Sequence, residues 1–107
     1  MTTFDSREKA FEDKFAHDNE MLFKAEARRN RLAGEWAGAE LGKSGDDLNA
    51  YIKEVIKSDL EEAGHNDVVR KISADFKAGG VDISDHRIEK KLVELLIDAK
   101  EQVMNEA

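Results

Sequence analysis

The chain of 107 residues contains no cysteine and no proline. Without cysteine it has no disulfide framework, no thiolate nucleophile and no thiolate ligand for zinc, which suits a reducing compartment. Without proline, only glycines and capping residues remain to interrupt its helices. No apolar run approaches the roughly 20 residues of a membrane span, and the first five residues carry no apolar signal-peptide core. We therefore expect a cytoplasmic protein without direct membrane insertion.

The charge balance excludes a further group of functions. The net charge is −7, and 38% of the residues are charged while 40% are hydrophobic. Such a composition is typical of one small amphipathic helical domain. A general nucleic-acid binder needs clustered lysine and arginine to neutralise phosphates. We therefore expect no nucleic-acid partner.

Apolar residues repeat at helical spacing in four segments, and no strand pattern competes with them. Loops of a few residues between such segments make neighbouring helices antiparallel. The sequence therefore predicts an all-α fold, a small four-helix bundle. The predicted helices cover residues 20–41, the run from a Ser44 cap to Ala63 that Gly64 stops, the run from an Asn66 or Asp67 cap to Gly79, and the run from a Ser84 cap to the end of the chain.

Glycines and small polar residues mark the predicted junction between the first two helices. Gly34, Gly38 and Gly42 recur every fourth residue, a spacing that lets two helices approach closely. Gly42 is also placed to end the first helix with a positive φ. Ser44, followed three residues later by Asp47, predicts a capping box at the start of the second helix.

The first fifteen residues contain three of the five phenylalanines, and no leucine, isoleucine or valine precedes Leu22. Phe4, Phe11 and Phe15 fall within about 40° of one another on a helix, and charged residues cover the rest of its surface. Burying each ring gains roughly 1.5–3 kcal/mol, whereas ordering each backbone residue costs about 1–2 kcal/mol. The segment alone should be marginally stable, so a partner groove would fold it. The alternative is that the stripe lies on its own domain, because Leu22 and Trp36 continue the same helical face.

The absence of leucine, isoleucine and valine before Leu22 divides the chain into two parts. We expect residues 1–19 to be disordered or marginally helical when free, and to extend the first helix when bound. We call them the N-terminal segment. Residues 20–107 form the predicted bundle.

Three basic side chains form one ridge of the first predicted helix: Lys24, Arg28 and Arg31. Glu20 and Glu35 lie four residues from its two ends, so a solvated ion-pair face is one interpretation. The other is contact with an acidic protein surface or with nucleotide phosphate. The adjacent Arg29 points toward the apolar side and must snorkel or pair.

No pattern of catalytic or metal-binding residues stands out. Glu62 and His65 match one ligand pair of a carboxylate-bridged di-metal bundle, which needs that pair twice. Gly42 to Ser44 resembles the end of a P-loop, but the first glycine of that motif is replaced by Ala37. We therefore expect no catalytic residue, no metal and no cofactor.

Long stretches of the sequence closely resemble the zeta subunit, the ATPase inhibitor of alphaproteobacterial F-type ATP synthases. The resemblance is carried by Thr2–Phe11, Lys14–Asp18 and Phe23–Asn30, and it continues through Leu41-Gly42 and Ala78–Val81. It implies a four-helix bundle whose N-terminal segment is mobile when free. In that family the segment enters an interface of the α, β and γ subunits of the F1 sector, forms a helix and blocks rotation during ATP hydrolysis.

The resemblance also implies a partner, a location and a contact set. The protein would be a regulatory inhibitor without catalytic activity, held peripherally at the membrane through the ATP synthase. The alternative is a nucleotide-binding helical regulatory protein, with weak nucleotide binding near the basic ridge. The contacts with F1 would come from Phe4, Arg7, Glu8, Lys9, Phe11, Lys14 and Phe15.

Overall fold

The computed structural model describes residues 19–59 and 66–106. They form four helices: α1 (Asn19–Glu40), α2 (Gly45–Ser58), α3 (Asn66–Gly79) and α4 (Asp85–Glu106). No strand occurs in these two ranges, which confirms the predicted all-α fold. None of the described helices is both long and apolar enough to cross a lipid bilayer.

The predicted N-terminal segment lies outside the described residues, except for Asn19, where α1 begins. Its mobility when free and its division from the bundle therefore stay predictions.

α1 is the central helix of the bundle. It packs along both α2 and α4 and also touches α3, whereas α2 and α4 are not neighbours. The side chains of Arg28 and Glu106 meet at one end of the α1/α4 pair, and Lys91 lies over the Trp36 ring farther along. α1 and α4 are therefore antiparallel.

The helices differ in length, and this produces two hydrophobic clusters. α1 and α4 have 22 residues each, whereas α2 and α3 have 14. At 1.5 Å per residue the long helices are about 12 Å longer than the short ones. Met21, Ala25 and Val103 form a small cluster between α1 and α4 alone. The larger cluster, shared by all four helices, includes Ala33, Tyr51, Val55, Val68, Ile72, Phe76, Ile88 and Leu92.

Two of the three regularly spaced glycines allow α1 and α2 to approach closely. A Cβ atom on Gly34 would lie 2.9 Å from the Cα of Ile52, and one on Gly38 would meet the side chain of Leu48. Nothing lies within 4 Å of such an atom on Gly42, which has a φ of +77°. Close packing is therefore confirmed for Gly34 and Gly38 and wrong for Gly42, whose positive φ instead ends α1 as predicted.

The two predicted serine caps have different outcomes. Ser44 precedes α2 with an extended backbone, but its side chain makes no capping hydrogen bond, so the capping box with Asp47 is wrong. The Ser84 hydroxyl accepts a hydrogen bond from the backbone N–H of Arg87 at 3.3 Å. The cap at the start of α4 is confirmed.

α2 ends at Ser58, earlier than the predicted Ala63. Asp59 follows the helix as its cap. The predicted stop at Gly64 falls within residues 60–65, outside the described part of the chain.

A buried polar cluster lies between the end of α2 and the middle of α1. The Asn30 amide donates a hydrogen bond of 2.8 Å to the Asp59 carboxylate, and Arg29 lies 3.7 Å from the same carboxylate. The Arg29 side chain also donates a hydrogen bond of 3.0 Å to the side-chain amide oxygen Oδ1 of Asn30. Arg29 and Asn30 are only 4% and 3% exposed, so Arg29 faces the interior and pairs there, as predicted. These bonds hold the end of α2 against α1.

Replacing Gly34 with alanine should destabilise the bundle. The new methyl group meets the Ile52 backbone, and separating two packed helices costs about 1–3 kcal/mol. Alanine in place of a helical glycine returns only about 1 kcal/mol. Urea unfolding followed by circular dichroism should show a net loss of stability. Ala27→Gly, at an exposed site of the same helix, measures the propensity effect alone, and a Gly34→Ala protein more stable than the parent would contradict the close approach.

Candidate functional site

The basic ridge predicted on the first helix is present on α1, and both of its ends carry ion pairs. Lys24 lies 3.6 Å from Glu20, and Arg31 lies 3.4 Å from Glu35. These are the pairs that the four-residue spacing predicts. Because Lys24 and Arg31 are 60% and 65% exposed, each pair is solvated.

The middle of the ridge is held by a contact that sequence spacing does not reveal. The Arg28 guanidinium donates two hydrogen bonds to the Glu106 carboxylate, at 2.7 and 2.9 Å, and a third to Gln102 at 3.0 Å. Hydrogen bonding raises the pKa of Arg28 and lowers the pKa of Glu106. The bidentate pair joins α1 to the last turn of α4. Every cation of the ridge therefore already has a carboxylate partner.

An apolar groove of about 470 Å³ lies beside the ridge. Phe23 and Ala27 from α1 and Ile56 from α2 line it, and the ridge cations form its rim. Phe23 is 71% exposed and Ile56 is 38% exposed. We call this surface the Phe23 groove. Sequence analysis did not single it out, although Phe23 lies about 100° around the helix from Leu22 and hence off the apolar stripe.

A second candidate is a hydrogen-bonded network between α2 and α3. The Tyr51 hydroxyl donates to Asp75 at 2.8 Å, and the Lys71 ammonium lies 3.0 Å from Asp75 and 3.5 Å from Glu54. Burial, together with the hydrogen bond to Asp75, raises the pKa of Tyr51 well above its ordinary value. Burial alone would lower the pKa of Lys71, but its contacts with Asp75 and Glu54 raise it. The phenol therefore stays protonated at neutral pH, and the network clamps the two helices.

A third candidate is a basic recess of about 410 Å³ near the start of α4. Trp36 from α1 lines it together with the cations Arg87, Lys90 and Lys91 and the carboxylate of Glu94 from α4. The Lys91 ammonium lies 5.9 Å from the centre of the Trp36 ring. None of these three cations lies within ion-pair distance of a carboxylate in the described ranges. We call this surface the Trp36 recess. Sequence analysis missed it, although the three cations share one helical face at i, i+3 and i+4.

The contacts that the family resemblance implies lie outside the described residues, and so they stay a prediction. The set consists of Phe4, Arg7, Glu8, Lys9, Phe11, Lys14 and Phe15. The described chain begins at Asn19, at the end of the bundle that also carries the Phe23 groove.

The chain is similar to a known protein family in sequence and to a known protein in structure. The sequence profile of the ATPase inhibitor subunit zeta family matches residues 1–102. The chain belongs to the zeta family. It is also similar to a protein whose solution NMR structure is known, with 48% sequence identity and a TM-score of 0.70, over 81% of this chain and 99% of that one. No curated protein matches significantly.

Membership of the zeta family confirms the resemblance drawn from the N-terminal stretches. It assigns the chain an inhibitory and regulatory role toward an ATPase. The match includes the N-terminal segment as well as the four described helices.

The Tyr51 network predicts that the protein loses stability at alkaline pH. The folded state holds the phenolic proton, whereas the unfolded chain releases it above pH about 10, so raising the pH favours unfolding. The phenol should lower the free energy of unfolding by up to about 1.4 kcal/mol per pH unit there, and Tyr51→Phe should remove that part of the slope, leaving the part due to the raised pKa of Lys71. Tyr51 is the only tyrosine, so tyrosinate absorbance reports it alone. A folded-state midpoint near 10, equal to that in urea, would contradict the clamp.

Proposed function

We propose that this zeta-family protein inhibits the F1 sector of ATP synthase by inserting its N-terminal segment into an interface of the α, β and γ subunits. There the segment forms a helix and blocks the rotation that accompanies ATP hydrolysis. The observation that carries the proposal is the family match over residues 1–102, because it includes the segment together with the bundle.

The aromatic stripe supplies the affinity for the interface. Phe4, Phe11 and Phe15 share one helical face, and burying each ring contributes roughly 1.5–3 kcal/mol. The neighbouring charges set the register: Arg7, Glu8, Lys9 and Lys14. Binding energy from the rings offsets the cost of ordering the segment, so folding is coupled to insertion.

The bundle supplies the fixed body behind the inserted helix. α1 begins at Asn19 and packs against three other helices, so the segment leads directly into a folded structure. A single helix is about 10–12 Å wide, whereas two packed helices need a further 8–10 Å. A cleft that admits the segment would therefore stop the bundle at its opening.

Weak nucleotide binding is a second candidate function, and the Trp36 recess favours it. On the basic ridge, the central cation Arg28 is held by two hydrogen bonds from its guanidinium to the Glu106 carboxylate, which a phosphate would have to displace. In the recess, three cations lie beside an aromatic ring without a carboxylate partner in the described ranges. A phosphate could pair with the cations while a base stacks near the ring.

The insertion proposal predicts that Phe11→Ala combined with Phe15→Ala abolishes most of the inhibition. The concentration for half-maximal inhibition of ATP hydrolysis by cognate F1 should rise by about two orders of magnitude, because both rings are expected anchors. Helical circular dichroism should be unchanged. The control combines Val93→Ala with Ile97→Ala, two exposed apolar residues of α4, and should inhibit normally. Undiminished inhibition by the double phenylalanine variant would refute insertion.

The nucleotide proposal predicts that ATP changes the fluorescence of Trp36, which is the only tryptophan. Lys90→Gln combined with Lys91→Gln should weaken this response several-fold, because two phosphate partners are lost. Lys24→Gln combined with Arg31→Gln is the matched control on the ridge and should respond like the parent. Loss of the response in the ridge variant alone would place binding on the ridge, and no response at millimolar ATP would remove nucleotide binding.

A further inference from the structure

We propose that the Phe23 groove docks the bundle onto the outer surface of F1, beside the cleft that the N-terminal segment enters. This inference rests on the proposed insertion. The occupant of the groove is an apolar side chain of F1 flanked by carboxylates.

The groove has the form of a docking site because three helices build it: Phe23 lies on α1, Ile56 on α2 and Val103 on α4. Phe23 from α1 is 71% exposed and Ile56 from α2 is 38% exposed, and both line the same depression of about 470 Å³. Val93 and Ile97 are also exposed, but both lie on α4 alone. A concave apolar surface with a polar rim accepts a projecting side chain, whereas a lone exposed residue does not.

The position of the groove on the chain identifies its occupant. Phe23 follows Asn19 by four residues, which is about 6 Å along the helix axis. The last expected contact of the N-terminal segment, Phe15, precedes Phe23 by eight residues, so in the inserted helix it would lie about 12 Å from Phe23 along the axis. The surface nearest to the groove in the inhibited complex is then F1 itself.

The charges around the groove indicate which residues of F1 should flank the apolar side chain that enters it. Lys24 and Arg31 stand on the rim, with exposed partners at 3.6 and 3.4 Å. Exposed pairs of this kind contribute little to stability, so carboxylates of F1 can replace Glu20 and Glu35 at low cost. The bidentate Arg28 pair with Glu106 stays in place and keeps α4 against α1.

Phe23→Ser should weaken inhibition without changing its maximum. With the N-terminal segment intact, the concentration for half-maximal inhibition should rise about tenfold, whereas the matched control Ile97→Ser should act like the parent. Both variants remove one exposed apolar side chain. If Phe23→Ser inhibits as well as the control, the docking proposal is overturned. Absence of inhibition by the parent protein would overturn insertion itself, so the two failures are distinguishable.

Photo-crosslinking identifies the occupant directly. A benzophenone amino acid placed at position 23 of the full chain should cross-link to an α or β subunit of F1, with a higher yield than the same probe at position 97. A cross-linked dimer of this chain would assign the groove to a second copy. A link to the N-terminal segment would assign it to the chain's own phenylalanines. Either product, or a yield no higher than at position 97, would overturn the proposal.

Discussion

The close approach of α1 and α2 at Gly34 is the contact on which the bundle depends. With no side chain at that position, the α1 backbone comes within reach of the Ile52 Cα. The same approach allows the Asn30 amide to hydrogen-bond Asp59 across the pair. Because α1 also packs against α4 and touches α3, a shift of α1 would disturb its contacts with all three other helices. α1, the helix that follows the N-terminal segment, therefore makes the most extensive contacts in the bundle.

The sequence correctly predicted those features of the fold that depend on residues close together in the chain. Helical periodicity, the positive φ of Gly42 and the Ser84 cap each depend on residues within about one turn, and the structure has all three. The attachment of the end of α2 to α1 depends instead on a hydrogen bond between Asp59 and Asn30, 29 residues apart. Such a partner becomes visible only once the two helices are packed. The prediction ran on to Ala63 because apolar residues continue at helical spacing to that position.

The same limit separates the predicted from the unpredicted parts of the candidate site. Glu20 and Glu35 were identified because four-residue spacing brings charges together on any helix. Glu106 could not be, because 78 residues separate it from Arg28. The Phe23 groove needs side chains from three helices, and the Trp36 recess needs side chains from two. The residue types determine what these two surfaces can bind. The surfaces form, however, only because α1 packs against its neighbours.

The two surfaces lie toward opposite ends of α1, which restricts how they can communicate. Phe23 and Trp36 are 13 residues apart, or about 20 Å along the helix axis. The Debye length at physiological salt is about 8 Å, so charge bound in the recess has little direct effect at the groove. Coupling would need α1 to adopt two positions. Gly34 lies between the two surfaces, and its contact with Ile52 resists such a shift. Nucleotide in the recess should therefore leave docking at the groove unchanged.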